Sequence, residues 1–156
     1  LYTCQVERIK IMAWNKFSIT NCIYCSEASS DRHHYKESVA NSGRKRAYAA
    51  KRDTLPTCRE CNRLLGSANP SYIDCCYILY DKVSHKHKNT LSIPEWDKED
   101  LDELSKTLRR KVLAGLRKKK FHMKRLDTLL KHAQSSLTYK EVRDIVIYGN
   151  KHEIQI

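Results

Sequence analysis

The sequence predicts a small zinc-stapled unit at residues 21–70, then a mainly α-helical part at 71–156. Three observations carry this expectation. Two Cys-x-x-Cys pairs, Cys22–Cys25 and Cys58–Cys61, frame a polar stretch with little helical or strand periodicity. From Ser71 onward, apolar residues recur every three or four positions. The 156 residues, 40% of them hydrophobic, suit one domain with a modest core, or a small domain with an appendage. Gly (4) and Pro (3) are too scarce for collagenous, linker-like or low-complexity chains.

The cysteines come first. Each two-residue spacer lets a tight turn aim both thiolates at one ion, and four sulfurs at ~2.3 Å make a closed, tetrahedral structural zinc site. A single pair could be a redox couple, and two unrelated buried pairs are the plain alternative. Seven cysteines is an odd number, which argues against a disulfide framework and for a reducing compartment. Lys10, Asn15 and Lys16 interrupt the apolar positions near the start, so no secretory signal is expected and the location reads as cytoplasmic. Cys4, Cys75 and Cys76 lack the spacing and read as small buried residues. A stretch as polar as 21–67 cannot build a large apolar core, and a metal is the natural source of its order.

The other elements follow in chain order. In the N-terminal segment, 1–20, Val6, Ile9, Met12, Ala13 and Phe17 fall at roughly helical spacing and predict a short helix. Ser71 is placed to cap a helix carrying Ile73, Cys76, Tyr77 and Tyr80, ending before Ser84–Asn89. Ser92-Ile93-Pro94-Glu95 reads as the next start, with Ser92 as cap and Pro94 in the first turn. The leucine periodicity from Leu101 to Leu130 predicts one long amphipathic helix, or two joined near Gly115–Lys120. Thr138 and Glu141 have the spacing of a capping box for a last helix reaching about Tyr148, with Gly149-Asn150 as its stop. No apolar run approaches the ~18 residues of a membrane span, so no membrane partner is expected.

A net charge of +12 suggests a polyanionic partner, and nucleic acid gains affinity through phosphate neutralisation. The bland reading is a merely well-solvated basic protein. The local pattern is more telling. Ser105 to Arg125 holds ten basic residues and no acid, just after six acids between Glu95 and Glu103. That order suits the dipole of a helix, and the basic face could grip a duplex or simply form a charged helix exterior.

Between the two cysteine pairs lies Ser29-Ser30-Asp31-Arg32-His33-His34-Tyr35-Lys36-Glu37-Ser38. Adjacent histidines on a short strand would point to opposite faces. One could hold a metal while the other activates a water, a division suited to phosphodiester hydrolysis. By itself a His-His pair is a weak signal, since surface histidines are commoner.

Residues 22–67, reading CIYC…DRHHYKES…DTLPTCRECNRLLGS, resemble the HNH endonucleases of the four-cysteine type found in phages and bacteria. The resemblance implies a ββα-metal finger: two antiparallel strands, an Ω-like loop and a helix, stapled by structural zinc, and with the helical part it implies an α+β protein. It implies a bacterial or phage-infected cell as the setting. It also implies DNA as substrate and Mg²⁺, Mn²⁺ or another divalent ion as catalytic cofactor. His34 falls at the general base and His33 at a ligand of the catalytic ion. A one-residue shift would make His33 the base and put Arg32 in the ligand slot; the first register is preferred because arginine cannot bind a cation. Asp53 falls near the middle Asn that orients the base. Asn69 is the best substitute for the closing His, which is missing. Asn62 matches the family's CxxCN and reads as a helix cap.

This chain also departs from the pattern at Glu37, where the family has proline, and at Leu65, where it often has lysine. More loosely, Leu65-Gly66 and Trp96-Asp97 resemble steps in the helical extension of some phage members.

Arg44, Lys45, Arg46, Lys51 and Arg52, with Arg59 and Arg63 by the second cysteine pair, are the expected phosphate contacts on double-stranded DNA. No sequence-reading element stands out, so weak sequence preference is expected. Cutting both strands would need two active sites and hence a homodimer. The leading expectation is a metal-dependent endonuclease. The alternatives are a non-catalytic zinc-finger DNA-binding protein derived from the same fold, and an interaction protein whose helices drive oligomerisation.

Overall fold

The computed structural model describes residues 20–34, 54–66 and 70–152. The helix expected near the start lies outside the described residues. Two short strands, β1 (Asp31–His34) and β2 (Thr54–Thr57), pair antiparallel with Asp31 opposite Thr57 and His34 opposite Thr54. Six helices follow: α1 (Arg59–Leu65), α2 (Tyr72–Lys86), α3 (Lys88–Leu91), α4 (Lys98–Glu103), α5 (Lys106–Ala133) and α6 (Tyr139–His152). The protein is α+β, mostly helical, with a two-stranded sheet.

Several starts follow from local chemistry. Ser71 caps α2, its Oγ accepting from the Asp74 amide at 3.2 Å. The Thr138–Glu141 capping box is reciprocal: the Glu141 amide donates to Thr138 Oγ1 at 3.3 Å, and the Thr138 amide to Glu141 Oε2 at 2.8 Å. Gly66 ends α1 at φ 57°, a left-handed conformation that costs glycine nothing, and its amide donates to Asn62 O at 3.1 Å.

Four boundaries differ from expectation. Helix α2 runs through Ser84-His85-Lys86, because no Gly or Pro stops it and its last residues reach a carboxylate on α1. No helix begins at Ser92: Pro94 disfavours helical backbone at Ile93, and Asp97 caps α4 instead, accepting from the Asp100 amide at 2.8 Å. The long periodic stretch breaks at Leu104-Ser105, where Ser105 caps α5, rather than near Gly115–Lys120. Helix α5 then runs unbroken for 28 residues, about 42 Å at ~1.5 Å per residue. Helix α6 continues past Gly149 to His152, since an interior glycine costs only about 1 kcal/mol and is not by itself a stop.

The buried face of α2 also differs from the one first read. Tyr72, Cys75, Cys76, Leu79 and Val83 are buried, whereas Tyr77 is exposed. These side chains face Leu129 and Ala133 of α5 and Val142, Ile145 and Val146 of α6. Each fully buried aliphatic side chain contributes roughly 1.5–3 kcal/mol. Ile23, Tyr24, Leu55 and Leu65 join the same core, so the cysteine-rich part is built against the helices. Tyr72 Oη donates to the Ile23 carbonyl at 2.6 Å, and His132 Nδ1 lies 2.8 Å from the Tyr24 carbonyl. The Tyr24 and Tyr139 hydroxyls are 2.8 Å apart. Among the described residues no helix is long and apolar enough to cross a membrane.

Candidate metal centre

The first cysteine pair sits in a tight turn that precedes β1. Its closing bond runs from the Ser26 amide to the Cys22 carbonyl at 2.9 Å, with Ser26 at φ 60°. The Ile23 amide donates to the Pro56 carbonyl at 3.0 Å, which fastens this turn to β2. The second pair starts α1. Cys58 is the N-cap, its Sγ 3.4 Å from the Cys61 amide. This displaces the capping role expected of Asn62, which lies one turn further on and donates instead to Asp31 Oδ2 at 3.4 Å.

The four Sγ atoms of Cys22, Cys25, Cys58 and Cys61 all lie within 4.8 Å of one another. A tetrahedron with zinc–sulfur bonds of ~2.3 Å has sulfur–sulfur edges of about 3.8 Å. The Cys25–Cys58 separation is 3.7 Å. The donor set therefore fits a metal such as zinc. Cys22, Cys25 and Cys61 are buried and Cys58 is half-buried, so a bound ion would have all four positions filled by protein. Cys22, Cys25 and Cys61 face the Cys58 sulfur, and the Cys61 amide points at it. Together they hold the Cys58 thiol well below its ordinary range. Cys61 is pushed up by Cys22, Cys25 and Cys58, and by its burial.

A charged layer encloses the cluster. Arg125 of α5 is 3% exposed, and its Nη2 lies 3.8 Å from Cys61 Sγ. Its Nη1 donates to Glu60 Oε2. Glu60 Oε1 in turn accepts from Lys86 Nζ at 2.6 Å and lies 2.9 Å from His87 Nε2. Burial works to raise the Glu60 carboxyl. The bonds from Lys86, Arg125 and His87 outweigh it and hold the group down at about 2. Burial likewise opposes the charge of Arg125, but Cys25, Glu60 and Cys61 keep it protonated. A zinc ion held by four thiolates carries a net charge of about −2, which a buried guanidinium beside a ligand sulfur offsets.

The rim of this layer is aromatic. The His87 and His122 rings stack at 3.6 Å, and the Arg125 guanidinium lies 5.7 Å from the Phe121 ring centre. Burial, then the charges of His87 and Arg125, lower the His122 imidazole. Nothing in the sequence marked Glu60, Lys86, His87 or Arg125 as part of a metal centre. Arg125 was counted in a basic run, yet it shares a helical face with Leu129, His132 and Ala133, a spacing that marks it as inward.

The remaining candidates divide. His33 and His34 end β1, their backbones opposite Leu55 and Thr54. Arg32 donates from Nε to Thr54 Oγ1 at 2.6 Å and from Nη2 to the Thr54 carbonyl at 2.9 Å, a cross-strand role. Arg59 and Arg63 are exposed on α1. Asp53, Asn69, Arg44, Lys45, Arg46, Lys51, Arg52 and Cys4 lie outside the described residues. Cys75 and Cys76 are buried as expected, and burial raises both thiols. Comparison with protein-family models, with curated proteins and with solved structures returned no match.

Proposed function

We propose that this protein is a metal-dependent endonuclease of the four-cysteine HNH type, hydrolysing phosphodiester bonds in DNA. The observation that carries the reading is the order of its parts. A cysteine turn leads to a strand ending in His33-His34; a second strand, a second cysteine pair and a helix follow, with all four sulfurs converging. Asp31, at the start of β1, meets Asn62 of α1.

In this reading the zinc is structural, because four thiolates leave it no open position. His33, with Asn69, holds a second divalent ion. When bound, that ion supplies charge stabilisation at the phosphate and the leaving oxygen. His34 is the general base. Its neutral imidazole takes a proton from water near pH 7 while the water oxygen bonds to phosphorus and the leaving oxygen departs in line. Asp53 orients the base. Arg44, Lys45, Arg46, Lys51, Arg52, Arg59 and Arg63 meet phosphates along a double-stranded substrate.

One observation favours a non-catalytic DNA-binding protein instead. The closing histidine of the motif is missing from the sequence. The test is incubation of the zinc-loaded protein with supercoiled plasmid and Mg²⁺, Mn²⁺ or Ni²⁺, with His34→Ala and EDTA controls. Relaxed or linear product that depends on metal and on His34 is expected. Intact plasmid with every metal, alongside a retained gel shift, would replace the nuclease with the binding protein. Full activity in His34→Ala but none in His33→Ala would move the base to His33.

A further inference from the structure

The basic residues of α5 sort by what they touch. Arg109 pairs with Asp102 at 2.9 Å, Lys119 with Glu95 at 2.6 Å, and Arg125 with Glu60. These three are taken up by the protein's own acids. Lys106, Arg110, Arg117, Lys120 and Lys124 are exposed, and none has an ion pair with a described carboxylate. At about 100° per residue these five fall within an arc of about 80°. Lys111 and Lys118, also exposed and without such a pair, lie about 80–100° beyond the edge of that arc. No acid occurs on α5 before Asp127, which pairs with Lys131 at 2.8 Å.

We propose that this stripe is a docking ridge for the phosphate backbone of double-stranded DNA. Lys106 to Lys124 spans about 27 Å at ~1.5 Å per residue, the length of about eight base pairs at ~3.4 Å each. A rigid ridge of cations suits a rigid duplex, meeting phosphates where the two strands border a groove. A single strand would call for several stacking rings, and Phe121 is the one exposed aromatic on α5. A membrane surface would call for a continuous apolar face beside the cations. The exposed Leu108 and Met123 fall on the other side of the helix, towards Gly115, which Ile93 approaches, and Lys119, which donates to the Ile93 carbonyl at 2.7 Å. The ridge deepens the nuclease reading and rests on it for the choice of DNA. It would hold the duplex outside the finger.

The experiment compares two triple variants of equal charge in the zinc-loaded full chain. Arg110→Gln/Arg117→Gln/Lys124→Gln strips one line of the stripe, and Lys88→Gln/Lys98→Gln/Lys140→Gln strips exposed lysines elsewhere. Affinity for a fluorescent 20-base-pair duplex is read by anisotropy across a salt series, with no divalent ion added. Each lost phosphate contact lowers the slope of log K against log salt by about 0.9. The stripe variant is expected to lose between two and three units of slope and on the order of a hundredfold in affinity at ~0.1 M salt, while the control stays near the parent. Equal behaviour of the two variants would overturn the ridge. Stripe-dependent binding to phosphatidylserine vesicles, with none to duplex, would overturn it in favour of a membrane. Omitting the catalytic ion keeps the two readings separable. A duplex cut normally by a stripe variant that binds like the control sinks the ridge alone. A plasmid left intact with stripe-dependent binding sinks the nuclease alone.

Discussion

Replacing Arg125 with methionine tests how the helices hold the metal centre. The guanidinium is 3% exposed, and its Glu60 partner keeps 22% of its side-chain surface. Removing one member of a buried ion pair costs about 3–5 kcal/mol, mainly through the charge left behind. Here Glu60 retains Lys86 and His87, so the low end applies. Methionine also fills most of the vacated space, which offsets part of the loss. We expect a net loss of about 2–3 kcal/mol. With a urea slope of about 1–3 kcal/mol per molar, the midpoint should fall by about 0.7–3 M. The assay is urea unfolding at pH 7 followed by far-ultraviolet circular dichroism, with and without zinc. Zinc removal neutralises most of the thiolates, so the Arg125–Cys61 contact loses its charge and the penalty of the substitution should shrink. A double-mutant cycle with Glu60→Gln should give a coupling of about 1–3 kcal/mol. A midpoint shift below about 0.3 M in the zinc-loaded protein, or an equal shift with and without zinc, would refute the argument.

Three further outcomes are expected. The Glu60 carboxyl is held at about 2, below its ordinary 4.5, so it stabilises the fold above about pH 4.5 and loses that contribution as the pH falls towards 2; urea midpoints between pH 6 and 3 should decline more steeply in the parent than in Glu60→Gln. Cys22→Ser should lower the zinc content measured by plasma emission below one per chain and weaken the fold, because a structural ion's binding energy is folding energy. Leu79→Ala, at a site 0% exposed, should cost about 2–5 kcal/mol, whereas Tyr77→Ala, at a site 45% exposed, should stay within about 0.5 kcal/mol; equal thermal shifts for the two would show that the inward face of α2 is wrongly assigned.

The pairs Cys22–Cys25 and Cys58–Cys61 were legible in the chain because the geometry of a two-residue spacer is local: the turn that aims both sulfurs needs nothing from elsewhere. The caps at Ser71 and Thr138–Glu141 were legible for the same reason. The expected start at Ser92 and stop at Gly149 failed, and of the two alternatives across Gly115 the unbroken helix holds, because each local signal is a preference of about 1 kcal/mol, easily outweighed. Ile93 and Lys119 hold α5 together at mid-length, and Asp97 offers a better cap than Ser92. The face of α2 was misjudged because Ile73, Tyr77 and Tyr80 are as apolar as the residues that turned out to be buried. Only the position of α5 and α6 distinguishes the two sides.

Local spacing was thus enough to read a four-cysteine centre, a chain helical from Ser71 and a basic stretch at 105–125, while the two strands were expected only from the family resemblance. Tertiary packing alone separated the cations of that stretch into Arg109, Lys119 and Arg125, each matched to an acid, and a stripe left facing solvent. It alone set Arg125 against Cys61, 64 positions away, and joined the cysteine turns to the helical core through Tyr72 and His132. The physical reason is range. Turns, caps and ligand spacing depend on neighbours within a few residues, whereas burial and ion pairing depend on which distant surface arrives alongside.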